Sequence, residues 1–318
     1  MKLADTYRHF ADREVSHYSP SYTDICRGIA ADPPVLDRIA AMPLDKRQPN
    51  LLLGAVRWLG GPVSTYAAFR AFVLAQWTDV GSVMAGRRTQ TDEVGRCGTL
   101  LPVLASVAAD GRPLALIEVG ASAGLCLYPD RYRYRYGDRP FVGSPSPVSL
   151  SIDVSGPLPA VGVPPVVWRA GVDLNPLDVT DADDMRWLES LVWPEQADRL
   201  DRLRAAVGIA RTDPPLLVRG DLNERVAELV ARAPAGATVV VFHTAVLAYV
   251  ERGGRETFAA QMASLPVRWI SNETPETFPD IAALAPPPPL AGRELTLLAL
   301  DGVPLAYASP HGQLLHWL

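Results

Sequence analysis

From Pro113 to the end of the chain, short apolar runs alternate with helical stretches, and this alternation constrains the fold more than any other feature. The runs are Leu114–Val119, Val166–Val172, Leu216–Arg219, Thr238–Phe242, Val267–Ser271, Leu295–Leu300 and Leu305–Ala308. Helical periodicity occupies Asp181–Val192, Glu195–Val207, Leu222–Arg232 and Arg255–Ser264 between several of them. Strands alternating with helices predict an α/β fold, a mostly parallel sheet with helices on both faces. The last two runs are parted by a short Asp301-Gly302 turn, which predicts an antiparallel hairpin at the end of the sheet.

Residues 1 to about 110 have a different texture, that of helices without a convincing strand. Leu3, Tyr7 and Phe10 recur at helical spacing. Asn50 is placed to cap a helix over Leu51–Leu59 that Gly60-Gly61 ends. Ser64 or Thr65 caps the next, which turns Tyr66, Phe69, Phe72, Val73 and Trp77 inward. Thr91 is placed to cap a segment through Leu104. The expected organisation is a helical N-terminal domain over 1–110 and an α/β domain over 111–318. A length of 318 residues suits about two domains.

A chain of this size, 48% hydrophobic and 20% charged, builds a core without disulfides or a structural metal. Cys26, Cys97 and Cys126 are far apart and form no CxxC or Cys/His cluster, so no metal site is expected. Their usage suits a reducing cytoplasm. The start, MKLADTYRHFADRE, lacks the apolar core of a signal peptide. No run reaches the ~18 apolar residues of a membrane span. A net charge of −5 weighs against nucleic acid as a general partner. A small-molecule substrate is the expected partner.

The first strand candidate runs into a turn of small residues, Glu118-Val-Gly120-Ala-Ser122-Ala-Gly124-Leu125, and an expected helix start. Two chemistries use such a turn. In one, Gly120 and Gly124 let the backbone approach a ligand at the carboxyl edge of the sheet. The pattern resembles the first motif of class I S-adenosylmethionine-dependent methyltransferases, commonly E/D-x-G-x-G-x-G, with Ser122 in place of the middle glycine. In the other, Gly120-Ala-Ser122-Ala-Gly124 is the G-x-S-x-G elbow of a serine hydrolase, with Asp280, Asp301, His243 or His311 as partners. The helical stretch that precedes it argues against the elbow, which normally follows several strands. A purely structural tight turn is the third reading.

The methyltransferase resemblance implies a Rossmann-like sheet and roles for later strand ends. Glu118, Gly120, Ser122 and Gly124 would form the cofactor turn, with Glu118 anchoring that turn or, through water, the methionine amine; Asp173 would bind ribose hydroxyls, and Asp221 the adenine edge. The plain reading of each acid is a helix cap or Asx turn. His243 and Thr244 end the Thr238 run on the same edge, where His243 serves as a general base or positions the substrate. Its plain reading is a hydrogen-bonded structural histidine. Ser271-Asn272-Glu273 ends the next run and faces the same cleft.

Between two apolar helical stretches, Arg87 to Arg96 is dense in polar side chains. The plain reading is a solvated turn; the sharper one is a lid whose Arg88, Gln90, Glu93 and Arg96 arrange a substrate. Arg131 to Arg135 alternate with Tyr132 to Tyr136, so a strand there puts arginines on one face and tyrosines on the other. Such a strand is either half-buried with its aromatics inward or a surface that stacks bases.

Several motifs in order, Arg88-Thr-Gln-Thr-Asp-Glu-Val-Gly-Arg96, Glu118 to Leu125, Asp173-Leu-Asn-Pro-Leu-Asp178, Trp187-Leu with Val192-Trp-Pro-Glu195, Gly220-Asp221, His243 to Tyr249 and Pro310-His-Gly312, resemble the domain of unknown function 2332 family of bacterial proteins. That family's pattern reads Thr-Gln-Thr-Asn-Glu and His-Ser, where this chain has Asp92 and Thr244. The resemblance implies one integrated unit with a helical N-terminal part and brings no activity with it.

The expected function is S-adenosylmethionine binding and methyl transfer to a small molecule. His243 and Glu93 are the catalytic candidates, and Arg88, Gln90, Arg96, Thr244 and Tyr249 the substrate-binding ones. On this reading Gly120→Val abolishes cofactor binding and leaves folding nearly intact. The alternatives are a hydrolase using Ser122 and a non-catalytic binding module on the same fold.

Overall fold

A computed structural model describes residues 2–16, 18–290 and 293–318. The chain begins with six helices: α1 (Leu3–His9), α2 (Pro20–Ala30), α3 (Pro33–Ala40), α4 (Pro49–Trp58), α5 (Tyr66–Ala75) and α6 (Trp77–Gly86). A 3-10 turn over Val94–Arg96 leads into α7 (Cys97–Val107) and strand β1 (Leu114–Val119). Strands β2 (Arg133–Tyr136), β3 (Ser149–Ser155) and β4 (Val166–Asp173) follow, then α8 (Ala182–Leu191) and α9 (Ala197–Ala210). The remainder is β5 (Leu216–Arg219), α10 (Leu222–Arg232), β6 (Thr238–Thr244), α11 (Arg252–Ser264), β7 (Arg268–Glu273), α12 (Pro279–Ala282), β8 (Thr296–Leu300), β9 (Val303–Ala308) and β10 (Leu314–Trp317).

Two compact units form. One comprises residues 1–91 with 180–203, the other 92–179 with 204–318. The division falls at Asp92 rather than near residue 110, because α7 belongs with the strands.

The first unit is helical. Its starts follow capping chemistry: Ser19 accepts from the Tyr22 amide and Thr65 from the Ala68 amide. α4 starts at Pro49, whose fixed φ suits a first turn, so Gln48 and not Asn50 precedes it. Tyr7, Phe10, Ile25, Leu52 and Phe69 are buried in one apolar cluster that Trp187 and Trp193 join. Burial at this scale, roughly 1.5–3 kcal/mol per large side chain, holds the 180–203 segment in place. Polar ties add to it. The Trp187 indole donates to the Arg88 carbonyl (2.9 Å), and Arg87 pairs with Asp184 (3.0 Å).

The second unit is a ten-stranded sheet in the order β2-β3-β10-β9-β8-β7-β6-β1-β4-β5. Pairing is parallel through β5-β4-β1-β6-β7 and antiparallel through β7-β8-β9-β10. The expected mostly parallel sheet is present, and the expected hairpin is β8–β9, but it lies inside the sheet and not at its end, because β10, β3 and β2 extend the sheet beyond β9. Order reverses between β1 and β6, because the chain builds outward from β1 through β4 to β5 and then returns to β1's other side. Ile117 and Val119 of β1 pack with Val226, Leu229 and Phe258 of α10 and α11.

Two further expectations need correction, and one of two open readings is decided. The glycine turn does not start a helix. Two 3-10 turns, Leu125–Leu127 and Pro129–Arg131, follow it, and the chain then crosses to the far edge of the sheet to make β2 and β3. Thr91 caps no helix; the side chain that caps the 94–96 turn is Glu93, accepting from the Gly95 amide. The Arg/Tyr segment turns its tyrosines inward, with Tyr132, Tyr134 and Tyr136 buried and their hydroxyls bonded to the carbonyls of Leu125, Pro129 and Gly98. Rings held this way present no stacking surface for bases.

Candidate functional site

The site lies in the second unit, at the carboxyl ends of β1, β4 and β6. Beyond Val119 the chain reverses through three residues with left-handed backbone, Gly120 (φ +70°), Ser122 (φ +51°) and Gly124 (φ +74°). Glycine is required at Gly120 for a second reason. A Cβ there would lie 2.5 Å from a Val246 methyl. Gly120→Val is therefore a packing defect as well as a change to the turn, which corrects the expectation that folding would survive it.

Every amide of the turn is occupied. Gly120 and Ala121 donate to the Val172 carbonyl, and Gly124 donates to the Ala121 carbonyl. The Ser122 amide donates to Asp173 Oδ2 (2.9 Å), and the Ala123 amide to Asp92 Oδ2 (2.9 Å). Asp173 also accepts from the Asn175 amide through Oδ1 (2.7 Å), closing an Asx turn at the end of β4. Two carboxylates thus hold the turn from two sides. No amide is left to cradle a phosphate.

Asp92 and Arg96 bring the 92–96 segment onto this edge. Burial pushes the Asp92 carboxyl up to about 7 despite its amide bonds and the Arg96 charge. Arg96 donates to the Thr244 carbonyl (2.8 Å) and hydroxyl (3.2 Å) and to the Pro310 carbonyl (2.9 Å). It thereby fastens the end of β6 to the 310–312 turn. The same two segments meet closely elsewhere. A Cβ on Gly312, at φ +80°, would lie 2.1 Å from the Gly95 carbonyl oxygen. Glu93 Oε2 lies 3.0 Å from His311 Nδ1, and Oε1 accepts from the Gly95 amide. Beneath them are two buried thiols, Cys126 donating to the Glu93 carbonyl and Cys97 to the Cys126 carbonyl.

Side-chain alternation separates the remaining candidates onto two faces. Val119 is in register with His243, and Glu118 with Phe242. His243 therefore shares the α10–α11 face with Val119, while Glu118 and Thr244 point to the α7 face. On its face His243 is fully engaged. Trp269 Nε1, which can only donate, lies 3.0 Å from His243 Nε2, so the ring proton is on Nδ1 and is given to Glu273 Oε1 (2.7 Å). Phe258 and Phe278 flank the ring. With both nitrogens committed and no exposed surface, His243 holds the strand end together and has no nitrogen to offer as a base. Glu273 also accepts the amides of Val246 and Leu247. Burial alone would raise its pKa; the His243 bond and the two amides outweigh burial and lower it.

Glu118 is the opposite case. It is 4% exposed, its Oε2 has no hydrogen-bond partner among the described residues, and burial raises its pKa well above the ordinary carboxylate value. Ser122 Oγ, 3% exposed, also lacks a partner among the described residues.

The other sequence candidates are distributed as follows. Asp221 is exposed and caps α10 through the Asn223 amide (2.8 Å). Tyr249 is 86% exposed on a 3-10 turn after β6. Arg88 and Gln90 belong to the first unit. Asp92, His311 and Glu273 are the site residues that sequence reasoning undervalues. Asp92 stands inside a polar motif whose charges suit a lid, Glu273 shows in the sequence only as a strand end, and His311 shows as a hydrolase partner and in the Pro310-His-Gly312 motif.

No curated protein matches the chain. Residues 4–317 match the model of DUF2332, a family described as an uncharacterized protein conserved in bacteria. A match over nearly the whole length carries the motifs at 88–96, 118–125, 243–249 and 310–312 together, and the chain belongs to the DUF2332 family.

Proposed function

We propose that the second unit binds an adenosyl cofactor of the S-adenosylmethionine type across the ends of β1, β4 and β6 and transfers its methyl group to a small molecule. The observation that carries this reading is the reversal of strand order between β1 and β6, with the glycine turn at the point of reversal. Open α/β sheets bind ligands at such a point, beyond the carboxyl ends of their strands. The order β5-β4-β1-β6-β7 agrees with the 3-2-1-4-5 arrangement of class I methyltransferases. The occupied amides support a ligand that makes no phosphate contact at the turn. Asp173 fits a ribose site, because each carboxylate oxygen that accepts one amide keeps a second lone pair for a hydroxyl. Asp221 fits the adenine end, exposed at the start of α10. The absence of a helix after the glycine turn sets this chain apart from the usual methyltransferase pattern.

When bound, such a cofactor supplies an electrophilic methyl group. The protein's contribution is position. Gly120 gives the turn its left-handed backbone against Val246, Asp173 and Asp92 hold the turn rigid, and Arg96 holds Thr244 at the adjacent strand end. Rate enhancement then comes from orientation of the two reactants.

The hydrolase reading gains one observation, the left-handed backbone of Ser122. It loses a larger one. The amide after the nucleophile builds the oxyanion hole of a G-x-S-x-G enzyme, and here the Ala123 amide is bonded to Asp92.

Isothermal titration calorimetry with S-adenosylmethionine and S-adenosylhomocysteine tests the proposal, with NAD and ATP as controls. Saturable micromolar binding of the first two alone is expected. Folded protein that binds neither would overturn the cofactor assignment.

A further inference from the structure

We propose that the outward face of β2 and β3 holds a binding site for a phosphate monoester of a small molecule, gripped by Arg133 and Arg135. The site is independent of the cofactor reading, which uses neither strand.

The first argument is placement. The tyrosines of β2 are committed inward, so alternation turns Arg133 and Arg135 outward, opposite Ser149 and Ser151 of β3. Both serines are exposed. After β2 the chain doubles back, and Val142 exchanges both backbone hydrogen bonds with Tyr134 (2.8 and 2.9 Å). That pairing sets Phe141 on the arginine side. The guanidinium carbon of Arg133 lies 3.9 Å from the Phe141 ring centre, and that of Arg135 lies 5.4 Å from it. Two cations thus share one ring, which is itself 41% exposed.

The second argument is that these cations have donors to spare and no counter-charge. Among the described residues the Arg133 side chain makes no hydrogen bond, and its Nε is covered without an acceptor. Arg135 reaches only Ser151 Oγ (3.4 Å). Neither meets a carboxylate among the described residues. Asp130 is bonded to Arg169 (2.6 Å), and Asp138 in the turn and Asp153 on β3 pair with neither arginine. Arg139 adds positive charge, its guanidinium bonded to the carbonyls of Leu158 and Pro159. Exposed arginines elsewhere do find acids: Arg27 meets Asp12, Arg112 meets Asp110 and Arg252 meets Glu256. The unmet charge is therefore particular to this face.

The third argument is the fit of the ligand. A phosphate monoester carries about −1.5 to −2 at neutral pH and three strong acceptor oxygens, which matches two guanidiniums. Stacking on Phe141 holds the Arg133 plane for a bidentate grip, and the serine hydroxyls supply further donors. A carboxylate leaves one of the two charges unmet. A long polyanion is repelled by a chain of net charge −5. The part of the Phe141 ring that the arginines leave open takes the organic group of the ester.

Isothermal titration calorimetry on the full chain at pH 7.5 and constant ionic strength tests the site with phenyl phosphate, inorganic phosphate, benzoate and poly(uridylic acid). Phenyl phosphate is expected to bind saturably at about 1 mM or tighter. Inorganic phosphate is expected to bind more weakly, and benzoate at least tenfold more weakly. Arg133→Gln, Arg133→Lys and Arg135→Gln are each expected to weaken phenyl phosphate at least fivefold, whereas Arg252→Gln on α11 leaves it unchanged. These substitutions lie on the surface, so the variants fold. No binding by folded protein, benzoate bound as tightly as phenyl phosphate, or full affinity in the Arg133 and Arg135 variants would overturn the proposal. Equal affinity for the two phosphates would replace the ester by free phosphate, and tighter binding of poly(uridylic acid) with a steep salt dependence would replace it by nucleic acid.

Discussion

Asp92→Asn separates the charge of Asp92 from its role as a hydrogen-bond acceptor. The asparagine Oδ1 can still take the Ala123 amide, so what is removed is a half-buried ionisable group beside Glu118 and Asp173. Moving a carboxyl from its ordinary 3.8 to about 7 corresponds to roughly 4 kcal/mol. The sign follows from linkage. A carboxyl that holds its proton more tightly when folded contributes stability in full below its unfolded pKa, and that contribution is lost as pH rises toward the folded value. Between pH 5 and pH 8 the wild type loses roughly 2–3 kcal/mol from this group alone. The asparagine amide does not titrate. The stability of the variant relative to wild type therefore grows by about that amount over the same interval. Urea unfolding followed by tryptophan fluorescence at both pH values measures it, and any pH-independent cost of the amide cancels in the difference. A gap between the two proteins that stays constant from pH 5 to pH 8 would refute the placement of a protonated carboxyl under the glycine turn.

Other substitutions test the remaining joints. Glu273→Ala strands the His243 Nδ1 proton and two amides in the interior and is expected to cost about 3–5 kcal/mol in urea unfolding. Because the Glu273 pKa is lowered on folding, the stability it gives is present above the ordinary carboxylate pKa and is lost as pH falls through the lowered one. Gly312→Ala forces a Cβ against the Gly95 carbonyl at a left-handed position and is expected to cost more than the roughly 1 kcal/mol of the backbone alone, read as a lowered unfolding midpoint. Gly120→Val is expected to yield unfolded or insoluble protein by circular dichroism, whereas a folded variant that merely fails to bind would contradict the Val246 contact. A fluorophosphonate probe is expected to leave Ser122 unlabelled, since the Ala123 amide is already spent on Asp92.

The parallel half of the sheet is legible because buried strands write themselves as short apolar runs. Leu114–Val119 and Leu216–Arg219 begin and end in the structure where their apolar runs do. β3 and β10 escape for a physical reason. Ser-Leu-Ser-Ile-Asp-Val-Ser alternates with serine and aspartate outward between Pro-rich segments, and β10 has four residues, so neither stands out from loop. The helices of 180–203 are visible, but not their membership of the first unit. That depends on Trp187 and Trp193 finding a core that lies more than a hundred residues earlier in the chain. Thr91 and Asn50 are reasonable caps by residue type. Proline at position 49 and the Glu93 carboxylate take those roles because each suits the backbone geometry better.

The catalytic reading of His243 fails on register, which no local pattern encodes. That His243 ends a strand on the productive edge is readable. That Val119 and not Glu118 stands opposite it is not, and this one-residue phase sends His243 toward Trp269 and Glu273 and Glu118 toward Asp92 and Arg96. The two glutamates then diverge under similar burial. Glu273, 2% exposed, meets a histidine proton and two amides and is held ionised; Glu118, 4% exposed, has an oxygen that meets none and is pushed toward its neutral form. Burial cannot distinguish them, and donors do. One face of the carboxyl edge is thus electrostatically complete, and it serves to fix the ends of β6 and β7. The other keeps an unmet acceptor beside a turn that presents no free amide. The incomplete face carries the uncompensated cost of burial, and the substitutions with most to say about it are those at Glu118, Ser122 and Asp92.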